Sequence, residues 1–183
     1  MRIIAGSCKG RPILAPKGMD TRPTLDRVKE SLFGIIQFRL HGKTVLDLFA
    51  GSGNLGLEAL SRGASFAAFN DMSRDAVKVI RANIEKLGFE QKSVVMNVDF
   101  AQAIRSLSAR RFDIVFLDPP YRAGLMEKAL KELSTAGILN EGAMVIAEHD
   151  AHIAPVDTGA LVLYDRRIYR DTALSFYRLE GEE

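Results

Sequence analysis

Hydrophobic and polar positions along the chain fall into two alternating periods. Short apolar runs at 44–48, 65–70, 93–97, 112–117 and 143–148 predict strands, each bounded by turn-forming residues. Segments ending near residue 62 and spanning 74–87, 101–107 and 126–135 repeat their apolar positions at helical spacing. Regular strand–helix alternation implies parallel strands with helices on both faces. Two late apolar runs, 161–164 and 174–179, have no helix between them and are expected to form an antiparallel hairpin at the sheet edge. Ahead of this alternation, 2–5 and 11–14 read as a short β-hairpin, 16–20 as a loop and about 25–40 as a helix. Thr24 is the expected N-cap of that helix, with Val28, Leu32, Ile35 and Ile36 as its apolar stripe. The expected fold class is α/β, a mostly parallel seven-stranded sheet with a C-terminal antiparallel hairpin and a small N-terminal β-hairpin. One domain spans 1–183, with 1–20 as an extension and 21–183 as the core.

The run from Val45 to Leu48 leads into Phe49-Ala50-Gly51-Ser52-Gly53-Asn54-Leu55-Gly56, a glycine turn that opens a helix. Glycines at 51 and 53 permit positive φ and close approach of a ligand, and the helix N-terminus beyond them offers unpaired N–H groups. This places a nucleotide-type cofactor in a Rossmann-like fold. The spacing satisfies the dinucleotide fingerprint, and Asp71 follows Gly51 by twenty residues, where a ribose-binding acid belongs. Two features favour a different cofactor. Asp47 sits inside the strand, where a carboxylate would repel a pyrophosphate but suits a cationic ligand. A later strand ends in Asp118-Pro119-Pro120-Tyr121, which hydride transfer does not need. S-adenosylmethionine carries a sulfonium, an ammonium and ribose hydroxyls but no phosphate, and it meets both conditions better than NAD.

Asp47 to Gly53, Asp71, Asp99 and Asp118 to Tyr121 all fall at or beside strand carboxyl ends, where ligands bind in open α/β sheets. An exocyclic amine on a base is a poor nucleophile because its lone pair is delocalised into the ring. Methylating it requires acceptors that bind its N–H groups and take its proton. Asp118 supplies a carboxylate, Pro119 a carbonyl fixed by the proline turn, and Tyr121 a face for stacking a flipped-out base. The alternative is a proline-stiffened turn after a buried strand.

Composition narrows the class. The 183 residues are 47% hydrophobic and 26% charged, typical of a globular domain. Cys8 is the only cysteine, so neither an intrachain disulfide nor a multi-cysteine metal site is expected. The N-terminus lacks the apolar run of a signal peptide, and the expected compartment is the cytoplasm. Charge is uneven: residues 1–43 hold nine Lys/Arg against three Asp/Glu, and the remainder holds sixteen against twenty. A basic N-terminal arm suits a polyanion, with simple solvation as the alternative. Arg22, Arg27 and Lys29 gather at one helix end as a candidate phosphate clamp.

These segments together resemble the RsmD family of bacterial methyltransferases, which modify the N2 amine of a guanine in 16S ribosomal RNA. The resemblance runs through Arg2-Ile3-Ile4-Ala5-Gly6, Lys9-Gly10-Arg11, Thr21-Arg22-Pro23-Thr24, Asp26 to Phe33, Leu46 to Gly53, Gly56 to Ala64 and Asp118 to Tyr121. It covers essentially the whole chain. It implies a Rossmann-like sheet, S-adenosylmethionine as donor, and 16S rRNA in the 30S subunit or an assembly intermediate as partner. A monomer without membrane contact is expected. By motif position, Asp71 would hold the ribose hydroxyls and Asp99 the adenine amine. The cofactor set would be Asp47, Phe49, Gly51, Ser52, Gly53, Asp71, Asp99 and Phe100. The catalytic set would be Asp118, Pro119, Pro120 and Tyr121, and the RNA-binding set Arg2, Lys9, Arg11, Arg22 and Arg27. The chain departs from the family pattern at Asn54 and Ser73. Other acceptors, adenine N6 or a protein glutamine, use related motifs, and a catalytically silent assembly factor would keep the same fold.

Overall fold

Five strands, β1 (Thr44–Asp47), β2 (Phe66–Asn70), β3 (Ser93–Met96), β4 (Phe112–Leu117) and β5 (Leu139–Asp150), run parallel. Two more, β6 (Leu161–Tyr169) and β7 (Thr172–Leu179), close the sheet as an antiparallel hairpin. The structure, a computed structural model, describes residues 1–16, 23–120, 124–154 and 158–180, the side chains of 23–25 excepted. Strand order is β3-β2-β1-β4-β5-β7-β6. The chain therefore reverses direction across the sheet between β1 and β4, the crevice where ligands bind in such folds.

The helices are α1 (Pro23–Ile36), α2 (Asn54–Ser61), α3 (Arg74–Leu87), α4 (Phe100–Ser106) and α5 (Leu125–Thr135). One apolar cluster packs Val28, Leu57, Ile80 and Ile84 from the first three helices against one sheet face, including Val45 and Phe116. A second packs Ile104, Leu130 and Leu133 from α4 and α5 against Leu46, Val115 and Val145 on the other. Alternation of side chains along β1 and β4 feeds both cores, which explains their continuous apolar runs. Among the described residues no helix is long and apolar enough to cross a membrane.

Element ends follow local chemistry. The Ser73 hydroxyl caps α3 by accepting from Ala76 N at 3.3 Å, and Gly88 ends it at φ 77°. The first helix begins at Pro23, so Thr24 lies inside it rather than before it; a proline in the first turn loses no hydrogen bond. The buried face of α1 includes Phe33 at 0% exposure, while Ile35 faces outward. A stripe drawn without Lys29, which is buried, was rotated toward residue 35.

Two expected boundaries are corrected. β6 continues to Tyr169 because its register shifts between Leu163 and Asp165, a bulge that breaks the alternation on which a strand reading depends. The N-terminal hairpin is shorter than expected: Arg2 and Pro12 pair antiparallel, with Ile3 N donating to Arg11 O at 3.0 Å, Gly10 N to Ile3 O at 2.8 Å and Ile13 N to Met1 O at 3.1 Å. Pro12 has no N–H to extend a ladder, and Ile4 N and Ala5 N donate instead to Glu58 at 2.8 and 3.0 Å. The segment is packed down: Ile3, Cys8 and Ile13 belong to the first core cluster.

Candidate active site

The glycine turn is held from below. The first turn of a helix leaves N–H groups without partners, and Gly53, at φ 79°, has no side chain to cap α2. Asp47 takes that role from the strand: its Oδ2 accepts from Gly56 N at 3.0 Å. Gly56 itself lies so close to the Phe69 ring that a Cβ would collide with it, which sets α2 directly on β2. Asp47 is 1% exposed and lies beneath the cavity lining rather than in it. The sequence groups it with the ligand contacts; the structure shows one of its oxygens holding the glycine turn.

Burial pushes the Asp47 carboxyl up to about 7; the Gly56 N–H opposes this, and the nearby Asp118 and Asp71 charges add to it. A folded-state value above the unfolded one stabilises the fold below about pH 4, and that contribution is lost as pH rises toward about 7. Asp47→Asn retains an acceptor for Gly56 and removes the titration. Its thermal midpoint relative to wild type is expected to climb between about pH 4 and about pH 7. A difference constant over that range would contradict this role.

Above the loop lies a cavity of about 890 Å³ at the carboxyl ends of the parallel strands, lined by most of the residues expected at the cofactor site. This lies within the range of cofactor pockets. Asp71, just beyond β2, accepts from Gly51 N at 2.9 Å and Ser73 N at 2.8 Å, one bond per oxygen. Each oxygen keeps further acceptor capacity. Asp99 caps α4 through Oδ1, which takes Ala101 N and Gln102 N at 3.0 Å, leaving Oδ2 uncommitted. Phe49 and Phe100 also line the cavity, with ring centroids 5.8 Å apart. The donor set fits S-adenosylmethionine: acids for hydroxyls and amines, aromatic walls for a base, and an acidic balance for a cation. Ser52 and Gly51 belong to the same lining, whereas Gly53 does not.

At the other side of the cavity stand Asp118, Pro119 and Pro120, following β4. Among the described residues no donor reaches the Asp118 carboxylate. Its side chain opens onto the cavity, yet the surrounding walls displace enough water to push the carboxyl up to about 6. Beside it, near the end of β5, Glu148 is pushed up to about 8, by desolvation first and by the Asp118 charge second. Burial and their mutual repulsion disfavour two negative charges here, so the two carboxyls titrate as a pair. Glu148 was not among the expected site residues, although its place near a strand end was readable. Tyr121 lies outside the described residues.

The roof of the cavity comes from the N-terminal segment and α1, through Met1, Pro16, Asp26 and Lys29. Lys29, read from sequence as part of a phosphate clamp, is 3% exposed and pairs with Glu58 at 2.9 Å. It also donates to Asn54 Oδ1 at 2.5 Å and to Arg2 O at 3.1 Å. Asn54, a departure from the family pattern, thus anchors α1 to the glycine turn. Asn83 of α3 forms a second staple, accepting from Leu14 N at 2.8 Å and donating to Ser52 O at 2.9 Å. Both staples escaped sequence reading because polar residues on helices are ordinarily solvent-facing. Of the expected RNA contacts, Arg2, Lys9, Arg11 and Arg27 are exposed. Arg11 donates to Lys86 O and ties the segment to α3, and Arg22 lies outside the described residues.

Strand order, glycine turn and strand-end acids together define the fold of S-adenosylmethionine-dependent methyltransferases, and solved members of that class share it. The family model described as "Conserved hypothetical protein 95" matches residues 1–178. The chain belongs to this family, that of RsmD, and S-adenosylmethionine is the cofactor of its class. The putative rRNA methyltransferase YlbH of Bacillus subtilis is 38% identical over 184 residues, covering 99% of this chain and 100% of that protein. Ribosomal RNA small subunit methyltransferase D of Escherichia coli is 33% identical, covering 100% of this chain and 91% of its own. The solved putative methyltransferase yhhF from Escherichia coli superposes with a TM-score of 0.85 at 34% identity, covering 99% of this chain and 98% of that one.

Proposed function

We propose that the chain methylates the exocyclic N2 amine of one guanine in small-subunit (16S) ribosomal RNA. The observation that carries the reading is Asp118: a carboxylate without a hydrogen-bond partner among the described residues, on a proline-fixed turn, opening into the cavity that the glycine turn and Asp71 also line. The names of the relatives support the RNA and the subunit. S-adenosylmethionine supplies an electrophilic methyl group and leaves as a thioether. Asp118 accepts an N–H of the amine and, with the Pro119 carbonyl, holds the nitrogen with its lone pair toward the methyl carbon. As the N–C bond forms and the S–C bond breaks, that N–H proton passes to Asp118. A carboxyl pushed up to about 6 is ionised at neutral pH yet takes a proton more readily than an ordinary aspartate. Positioning and electrostatics therefore supply the catalysis.

The basic N-terminal segment, residues 1–43, supplies the RNA contact. Arg27 is exposed at the start of α1, near the roof of the cavity. Arg27→Ala is expected to weaken RNA binding and to lower the slope of log affinity against log salt by about 1, with cofactor binding unchanged. Unchanged affinity across several salt concentrations would remove Arg27 from the interface.

The function is tested by the nucleosides of small-subunit RNA from cells lacking the gene. N2-methylguanosine is expected to be diminished there and restored by the wild-type gene but not by Asp118→Ala. A lesion in N6-methyladenosine or in a methylated protein would replace this reading by another acceptor. Restoration by Asp118→Ala would point to an assembly role without catalysis.

A further inference from the structure

We propose that Glu148 reads the acceptor base, meeting the N1–H and O6 edge of the guanine whose N2 amine Asp118 holds. This rests on the guanine reading above. β4 and β5 pair in parallel with Leu117 beside Ala147, so one further step sets Asp118 beside Glu148. Adjacent strands lie about 4.8 Å apart, which places two carboxyls side by side at one wall of the cavity that both line. Neither carboxyl has a hydrogen-bond or ion-pair partner among the described residues.

Nothing in the sheet calls for an acid at 148. The preceding residues of β5, Ala143 to Ala147, are all apolar and buried, and on its other side Glu148 pairs with Leu174 of β7. A poorly solvated carboxyl without a partner is costly unless something entering the cavity meets it. Because β5 is bonded to strands on both sides, the residue is held on a rigid element.

The chemistry of the pair matches the guanine edge. Burial and the Asp118 charge push Glu148 toward its neutral acid, which offers C=O and O–H side by side. Guanine, read outward from N2, offers N1–H and then O6: the C=O accepts the first and the O–H donates to the second. An adenine presenting its N6 amine to Asp118 would place N1 and then a C–H there, and one bond would be lost. Glu148 thus separates the two bases by what lies beyond the reacting amine.

The test uses small subunits reconstituted with guanine or 2-aminopurine at the position the wild type methylates. 2-Aminopurine keeps the N2 amine but has a bare N1 and no O6. Wild type is expected to favour guanine by roughly tenfold to a hundredfold. Glu148→Ala should lose most guanine turnover, with the preference falling to near unity. Glu148→Gln, whose amide offers C=O and N–H in place of C=O and O–H, should keep the preference and stay within about tenfold of wild-type turnover. A Glu148→Ala enzyme that keeps the wild-type preference, whether or not it is slower, would overturn the proposal. So would loss of the preference in Glu148→Gln, which preserves the side-chain volume. Failure of the guanine reading shows separately, as wild type that leaves the guanine-bearing particle without N2-methylguanosine.

Discussion

Asp118→Ala is expected to slow methyl transfer by about a thousandfold while leaving S-adenosylmethionine affinity within a few-fold. The carboxylate accepts no hydrogen bond from the described residues, so removing it leaves the glycine turn, Asp71 and Asp99 as they are. Its loss leaves the reacting amine without its charged acceptor, and the developing ammonium without a base. Single-turnover rates and calorimetric cofactor titration measure the two quantities separately. The pH dependence gives a second readout. Only the ionised form accepts the amine, so wild-type kcat/KM should fall about tenfold per unit below about pH 6, the value to which desolvation raises this carboxyl. Asp118→Asn should be slow and should lack that acid limb. A variant near wild-type turnover would remove Asp118 from the reaction.

Glu58→Ala is expected to destabilise the fold by about 3–5 kcal/mol. Glu58 is 0% exposed and holds four groups at once: Lys29 at 2.9 Å, Arg62 at 2.8 Å, and the N–H groups of Ile4 and Ala5. Truncation leaves Lys29 buried without its counter-ion, which costs far more than the pair's own net contribution. For a chain of this length the thermal midpoint should drop by roughly 10 °C. Amide exchange should show Ile4 and Ala5 losing protection together, since one carboxylate closes both. Burial pushes this carboxyl up, but Lys29, the Ile4 N–H and Arg62 outweigh it and hold it below its ordinary value of 4.5. A group so held stabilises the fold above that value, and the contribution is lost as pH falls below it. Wild type should therefore lose stability under acid faster than Glu58→Ala does. A loss under about 1 kcal/mol would mean that the segment is held by its apolar contacts alone.

What could be read from sequence and what could not divide along a physical line. Strands β1 to β4 and helices α3 to α5 were legible because periodicity and end signals agreed, as at Ser73 and Gly88 of α3. The hairpin β6–β7 was legible in sense but not in length, since a bulge at Leu163 to Asp165 interrupts the two-residue period. Asp71, Asp99 and Asp118 could be placed at the cavity from sequence because strand ends expose their residues to it. Asp47 was assigned to the ligand because nothing in its spacing reveals that Gly56 would claim its oxygen. Lys29, Glu58 and Asn83 stayed hidden for a related reason: a charged or amide residue on a helix reads as solvated until a distant partner folds against it, 29 positions away for Lys29 and Glu58 and 31 for Asn83 and Ser52. Glu148 was expected to end its strand, which runs on to Asp150, and its neighbour across the sheet is a fact of register, which no local pattern carries.

The most direct test of guanine N2 methylation is transfer of labelled methyl from S-adenosylmethionine by the purified protein. Small subunits lacking the modification, free small-subunit RNA and DNA serve as acceptors in parallel, and the labelled nucleoside is identified by mass spectrometry. The expected result is N2-methylguanosine in ribosomal RNA, absent with Asp118→Ala. Label confined to DNA, to another nucleoside or to protein would contradict it, while leaving the fold and the donor in place.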